Sequence, residues 1–481
     1  MPDKAFLVID VGTGGAKCVF FDGDGGQVFS DRANVAFEFV DGGMQFDPKT
    51  VWGDIRLLIR AGLKECDRRK LRVAAVSSTS MREGNVFYDR GGRELLAVPN
   101  IDSRASEESR AIPEALAEEI YRKSGHWPSG IFLVNRLGWL KTHKPSLYRR
   151  TASVSMINDW ILFKLSGRLS SEPTNGCETA AFDLAKRTWS EEIMKELRLD
   201  FDVLPEMNEC GTVLGGVTDA ASASTGLPRS AIVVIGAADT EAAVLGCGVL
   251  EPGNPVAVAG TTTPVQAVTT EVVQDEKMRT WTCCHPVPNR WVVESNAGAT
   301  GLVFNWWSKL VGVEYGDLDA EVPHATQEYT SVVARIGTNL MNSRGMHPLK
   351  GFLRGIGPWT SRASITRAIL EESSFSVRGN LEQIEEVLGT RFAALAFCGG
   401  CAKSSLWSQL TADVANRKLI RFRMGDATAR GAAMLSSVAS GEHRSIGAAA
   451  RDLKGDRSVL SPRKQKVAEY EQKYRNWLEQ T

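Results

Sequence analysis

The chain has 481 residues, 43% of them apolar, with 57 basic and 57 acidic side chains and therefore a formal net charge of zero. That length can bury a large core in two or three domains, and the balanced charge gives no sign of a nucleic-acid or anionic-membrane surface. No apolar run approaches the roughly 18 residues of a membrane helix, and nine scattered cysteines read as reduced thiols rather than a disulfide framework. The start, MPDKAFLVID, enters a strand without a signal-peptide pattern, so the expected location is cytoplasmic.

Residues 5–22, AFLVIDVGTGGAKCVFFD, read as strand, glycine turn and strand: an apolar run stops at Asp10, turns through Gly12, Thr13, Gly14 and Gly15, and resumes. Such a turn bares consecutive backbone N–H groups that can cradle phosphate oxygens while a neighbouring carboxylate holds Mg2+. An ordinary hairpin, with glycine supplying positive φ, is the competing reading. Asp47-Pro48 then starts a helix with Val51, Trp52, Ile55, Leu58, Ile59 and Leu63 on its buried face. A β-branched, Ser-rich strand over 73–80 runs into Arg82 and Glu83. Ligands gather at such strand ends in α/β folds, and a fixed donor beside an acceptor suits a polyhydroxylated substrate, with a salt bridge as the plainer alternative. Asn100, Asp102 and Arg104 are further candidates, the last two also as braces of a pocket wall.

Near mid-chain, AIVVIGAADTEAAVLGCG is a buried strand that ends in small residues and presents Asp239. The prolines and glycine of Leu250–Pro255 then divide the chain. Residues 1–250 hold the first phosphate clamp, the acceptor candidates and Asp239; residues 251–481 hold a second clamp and an adenosine loop. In that second clamp, Val256–Ala259 ends in Gly260, Thr261, Thr262 and Thr263. An acidic group between two phosphate loops can serve as general base on a hydroxyl, while helix or strand capping is its ordinary use. In FCGGCAKSSLW, a strand meets Gly399 and Gly400 before a helix with Leu406, Leu410 and Val414 on one face. A glycine pair there lets a flat ring or a phosphate approach the backbone. Cys398 and Cys401 have CxxC spacing but no second ligand pair, and Cys283-Cys284 lacks metal-ligand spacing. An Ala- and Gly-rich helix over 427–440 permits close packing, and the tail from Pro462 carries Val467, Tyr470, Tyr474 and Trp477 at helical spacing, a core stripe.

In this order and at these separations, the elements resemble the actin, Hsp70 and sugar-kinase superfamily, and specifically the FGGY carbohydrate kinases, over essentially the whole chain. Within that family, Ser80-Met81-Arg82-Glu83-Gly84, Asn100-Ile101-Asp102-Ser103-Arg104-Ala105, Met156-Ile157-Asn158-Asp159-Trp160 and the Gly-Gly-Cys-Ala-Lys stretch from Gly399 are similar to the autoinducer-2 kinases, which phosphorylate an open-chain C5 signalling molecule. Asn100 in place of the frequent Trp, and Arg82 where xylulose kinases carry His, point away from xylulose. The stretch 350–375 resembles the family's C-terminal signature, whereas 324–347 departs from the autoinducer-2 kinases.

The resemblance implies an α/β fold of two ribonuclease-H-like, actin-like ATPase domains around a central ATP and substrate cleft, closing about a hinge. It implies ATP and Mg2+ as cofactors and a small carbohydrate as partner, with neither nucleic acid nor membrane; a homodimer is left open. Phosphoryl transfer needs the γ-phosphate and metal held in line with a hydroxyl that can lose its proton. On that pattern Asp239 is the catalytic base and Asp10 organises Mg2+, with Asp239 sharing the metal, partly through water. Gly12, Thr13, Gly14, Gly260, Thr261 and Thr262 hold phosphates, with Lys17 where relatives carry Arg or Lys and Gly15 in place of a common Ser. Gly301, Asn305, Gly399, Gly400, Cys401, Lys403 and Ser404 fall on the nucleotide side. Ser80, Met81, Arg82, Glu83, Asn100, Asp102, Asp239 and Thr240 fall on the acceptor side. Three readings compete: a kinase of the open-chain autoinducer-2 precursor or a similar short polyhydroxy ketone, a kinase of another ketose or polyol, and a non-catalytic sugar or nucleotide-binding regulator.

Overall fold

The computed structural model describes residues 3–324, 332–345, 351–422, 426–452 and 456–479. Of the stretches 324–347 and 350–375 singled out above, residues 325–331 and 346–350 lie outside the described residues. By contact the chain forms two units. The first comprises Met1–Leu250, Thr282–Trp291 and Asp426–Lys454; the second comprises Glu251–Trp281, Val292–Gly425 and Gly455–Thr481. The units are therefore not contiguous halves, since two later segments return to the first. Among the described residues no helix is long and apolar enough to cross a membrane.

The first unit is built on a six-stranded sheet. Its strands are β1 (Asp3–Gly12), β2 (Gly15–Asp22), β3 (Gln27–Ala33), β4 (Leu71–Ser80), β5 (Val213–Gly216) and β6 (Ile232–Ala238), in the order β5-β6-β4-β1-β2-β3. β1, β4 and β6 run parallel at its centre, while β2, β3 and β5 are antiparallel to their neighbours.

Strand side chains alternate between faces, and β1 is apolar on both. Ala5, Leu7, Ile9 and Val11 pack with Val51, Ile55, Leu58 and Ile59 of the helix Pro48–Arg68 and with Trp160. Phe6 and Val8, with Val19 and Phe21, meet Ala429, Ala432 and Ala433 of the helix Ala427–Ala439. Asp47 starts the first of these helices by accepting from the Lys49 and Thr50 amides, with Pro48 at its first position.

Glycine explains why the segment from Asp426 returns. A Cβ at Gly431 would lie 1.9 Å from the Ala242 carbonyl oxygen, and one at Gly246 would lie 1.9 Å from that of Ala427. The helices Asp239–Gly246 and Ala427–Ala439 therefore touch backbone to backbone, at a distance only glycine permits.

In the second unit β7 (Val256–Val258), β8 (Pro264–Thr269), β9 (Trp291–Asn296), β10 (Ala394–Cys398), β11 (Lys418–Phe422) and β12 (Arg457–Leu460) run in the order β9-β8-β7-β10-β11-β12. The long helix Arg362–Leu388 starts at Ser361, which accepts from the Ser364 amide, and ends at Gly389 with φ +59°. The tail helix Lys464–Leu478 buries Tyr470, Tyr474 and Trp477, whose rings lie 6.2, 6.1 and 6.4 Å from that of Phe375. The aromatic stripe is core.

Candidate active site

The parallel strands β1, β4 and β6 end on the same edge of the sheet, which brings Asp10, Ser80–Glu83 and Asp239 to one place. Thr79, the neighbour of Asp10 on β4, donates from Oγ1 to Asp10 Oδ1 at 2.9 Å. Asp239 is the first residue of its helix, where Thr240 Oγ1 donates to its Oδ1 at 3.1 Å and Thr428 Oγ1 to its carbonyl at 3.1 Å. Loss of solvent around the Asp10 carboxyl, then the charges of Asp426 and Asp239, push its pKa up to about 8, against the Thr79 donor and Lys17.

The glycines of the first turn divide by role. Gly15 has φ +144°, and a Cβ there would sit 2.4 Å from the Ala33 carbonyl oxygen, so β3 excludes any side chain. At Gly12 and Gly14 a Cβ would meet nothing within 4 Å. Their backbone is bare toward open space, as a phosphate cradle requires. Thr13 Oγ1 donates to Asn100 Oδ1 at 3.1 Å, which ties an acceptor candidate to the turn.

Lys17 stands opposite Asp10 across the hairpin, and its ammonium pairs with Asp426. Asp426 lies outside every motif recognised in the sequence. Its Oδ1 accepts from the Ala429 amide at 3.0 Å as the cap of the Ala-rich helix. An Asp directly before that helix was the available signal.

On the acceptor side, Ser80 and Asp102 are wholly buried. Ser80 Oγ accepts from the Asn158 amide at 3.0 Å, and Asp102 Oδ1 accepts from the Met44 amide at 2.9 Å and from Arg104 Nε at 2.8 Å. Both brace the wall. Asn100 donates its amide to Met81 Sδ at 3.5 Å, and Glu83 holds φ +58°, a conformation few side chains adopt outside constrained sites.

Arg82 is no surface residue. Its Nη1 lies 3.1 Å from Glu178 Oε1 and 3.5 Å from Glu241 Oε1, two carboxylates that come from distant segments and carry no motif in the sequence. Arg82 and His126 overcome the burial of Glu178 and hold its pKa down to about 2.

In the second unit three loops converge. The Leu302 amide donates to the Thr261 carbonyl at 3.0 Å and the Cys401 amide to the Ala259 carbonyl at 3.0 Å. A Cβ at Gly301 would lie 2.1 Å from the Gly260 oxygen and one at Gly399, with φ +94°, 2.5 Å from the Ala259 oxygen, so these glycines serve close packing. At Gly400 a Cβ would meet nothing within 4 Å. Ser404 caps the next helix, accepting from the Trp407 amide at 2.9 Å and donating to Asp319 at 2.7 Å. Thr261, Thr262, Asn305 and Lys403 are exposed. Burial pushes the Cys401 thiol up to about 12, which leaves it protonated and unreactive.

The N-terminal domain of the FGGY family of carbohydrate kinases matches residues 5–246, and the family's C-terminal domain matches residues 256–440. The chain belongs to this family. It is a carbohydrate kinase, an enzyme that moves a phosphoryl group onto an alcohol of its acceptor, and FGGY kinases draw that group from ATP. The Bacillus subtilis (strain 168) protein YoaC, named as a sugar kinase, is 32% identical to this kinase over 425 residues, 86% of each chain. The autoinducer-2 kinase of Salmonella paratyphi A is 31% identical over 498 residues, 98% of this chain and 93% of that one. The crystal structure of Plasmodium falciparum glycerol kinase with ADP matches with a TM-score of 0.86 at 20% identity, over 100% of this chain and 98% of that one. That match gives this kinase the two-domain, actin-like α/β architecture.

Proposed function

We propose that this kinase phosphorylates a hydroxyl of the open-chain autoinducer-2 precursor, or of a similar short polyhydroxy ketone, as a cytoplasmic step of autoinducer-2 quorum sensing. The observation that carries the reading is the pocket edge Met81-Arg82-Glu83 with Asn100 tied to Thr13, in a chain 31% identical to an autoinducer-2 kinase over nearly its full length. Nine free cysteines suit a reducing compartment.

Asp239, beside the acceptor strand end, takes the proton of the attacking hydroxyl. Asp10, Asp239 and Asp426 set three carboxylates around one ammonium, Lys17, and this excess of negative charge fits a divalent cation. Asp10 and Asp239 would hold Mg2+, partly through water. When bound, Mg2+ neutralises charge on the phosphates being separated. The bare amides of Gly12 and Gly14, with Thr13, orient phosphate in the first unit, and Gly260, Thr261 and Thr262 do so in the second. Gly400, with the exposed Asn305 and Lys403, receives the nucleoside.

A kinase of another ketose or polyol is the second reading, because a guanidinium set among carboxylates recognises vicinal hydroxyls of many acceptors. The test is ADP release across a panel of pentuloses, hexuloses, tetritols, glycerol and the autoinducer-2 precursor. Turnover with the precursor at least about tenfold above every other acceptor in kcat/KM supports the first reading. Preference for a common sugar or polyol replaces it with the second.

A further inference from the structure

Beneath Arg82, inside the first unit, lies a set of groups that phosphoryl transfer does not use. His126, Glu178, Cys177 and Cys283 all have 0% exposure. His126 Nε2 lies 3.1 Å from Glu178 Oε2 and 3.9 Å from Cys283 Sγ, and these three ligand atoms fall within 4.8 Å of one another. The neighbouring Cys177 thiol donates to the Thr174 carbonyl at 3.2 Å, and its sulfur accepts from the Cys284 amide at 3.4 Å.

We propose that His126, Glu178 and Cys283 bind one divalent transition metal of the zinc class, as a buried structural site under the acceptor pocket. Tetrahedral zinc, with bonds of about 2.0 Å to nitrogen and oxygen and about 2.3 Å to sulfur, separates its ligand atoms by roughly 3.3–3.8 Å. The separations of 3.1 and 3.9 Å lie just outside that range on either side, so the ligand atoms shift by a few tenths of an ångström to take the ion. His126 Nδ1 lies 2.9 Å from the Ser124 carbonyl oxygen, so its N–H is engaged there and Nε2 faces the cluster. This is the outer contact that metal-bound histidines make.

Glu178 Oε2 is buried and 3.1 Å from Nε2, an ion pair in the metal-free protein. A divalent ion seated among the ligand atoms takes the place of the Nε2 proton. Charge also closes: one thiolate and one carboxylate neutralise a divalent cation, and Arg82 is balanced by the neighbouring Glu241. The ligands come from three segments far apart in sequence, which hides the site from any spacing rule.

The test is metal content of the purified full-length kinase after incubation with zinc chloride alone and exhaustive dialysis. About one zinc per wild-type chain, retained in Asp10→Asn and reduced to under about a tenth in Cys283→Ala and His126→Gln, is the expected result. Under about a tenth of an equivalent in the wild type, or full occupancy in Cys283→Ala, overturns the proposal. Should the buried variants fail to fold, cobalt substitution of the wild type decides: a thiolate-to-cobalt charge-transfer band supports the site, and its absence overturns it. None of these readouts depends on which acceptor is phosphorylated.

Discussion

Lys17 faces Asp10 across the β1–β2 hairpin, yet its ammonium closes on Asp426. The lysine thereby bridges the glycine turn to the cap of the helix that packs against the Asp239 helix. Asp426 has two tasks, since Oδ1 caps the helix and Oδ2 takes the lysine.

Substitutions at Asp426 separate those tasks. Asp426→Asn keeps a capping oxygen and loses the ion pair; Asp426→Ala loses both and is expected to be less stable by a further ~1 kcal/mol in urea unfolding. Asp426 raises the Asp10 pKa and Lys17 lowers it. Removing the one and releasing the other both favour ionised Asp10. The acidic limb of kcat/KM is therefore expected to move to lower pH in Asp426→Asn, and a limb that stays in place would detach Asp426 from Asp10.

Two glycine substitutions are expected to fail in opposite ways. Gly431→Ala drives a methyl into the Ala242 carbonyl, with a calculated approach of 1.9 Å, and is expected to cost about 2–3 kcal/mol of stability. Gly12→Ala meets nothing within 4 Å, so its melting temperature stays near wild type while KM for ATP rises at least about tenfold. Thermal melts and steady-state kinetics of the two proteins check the contrast.

Arg82 carries both fold and substrate. Arg82→Ala removes the guanidinium shared by the buried Glu178 and Glu241 carboxylates, and loss of one partner of a buried pair costs about 3–5 kcal/mol. Arg82→Lys keeps the charge without the fixed fork, so it is expected to fold, to raise KM for the acceptor by about an order of magnitude and to leave KM for ATP unchanged. A rise confined to ATP would remove Arg82 from the acceptor site.

Glu372 supplies a pH dependence of stability in the second unit. It is 2% exposed, and its Oε1 accepts from the Ile336 amide and Thr338 Oγ1, both at 2.6 Å. Burial outweighs these donors and raises its pKa from 4.5 to about 7. Because the folded state holds this proton more tightly than the unfolded chain does, the group's contribution is fully present below about pH 4.5 and is lost as pH rises through about 7. A shift of that size corresponds to roughly 3 kcal/mol. Glu372→Gln is expected to match wild-type stability at pH 5 and exceed it at pH 8, as urea unfolding at the two values will show.

Where local pattern and covalent geometry dictate structure, the residues alone were readable. Alternating apolar runs and the glycines located β1, β2 and the three loops, and Asp47-Pro48 located the first helix start. The stripe Tyr470, Tyr474 and Trp477 was readable as core for the same reason. What escaped were partners brought together only by tertiary folding. Nothing near Arg82 in sequence announces Glu178 or Glu241, and Asp426 reads as one more Asp until its helix is laid on that of Asp239. The return of Asp426–Lys454 to the first unit was hidden likewise, because Gly246 and Gly431 acquire meaning only as a touching pair.

The central claim is that Asp239 takes the acceptor's proton in a transfer from Mg-ATP, and the most direct measurement is acceptor-dependent ADP release by wild type and Asp239→Asn. The account predicts release that requires an acceptor, with kcat in Asp239→Asn lower by at least about a hundredfold and KM for ATP little changed. Turnover close to wild type in Asp239→Asn, or ADP release indifferent to any acceptor, would contradict it.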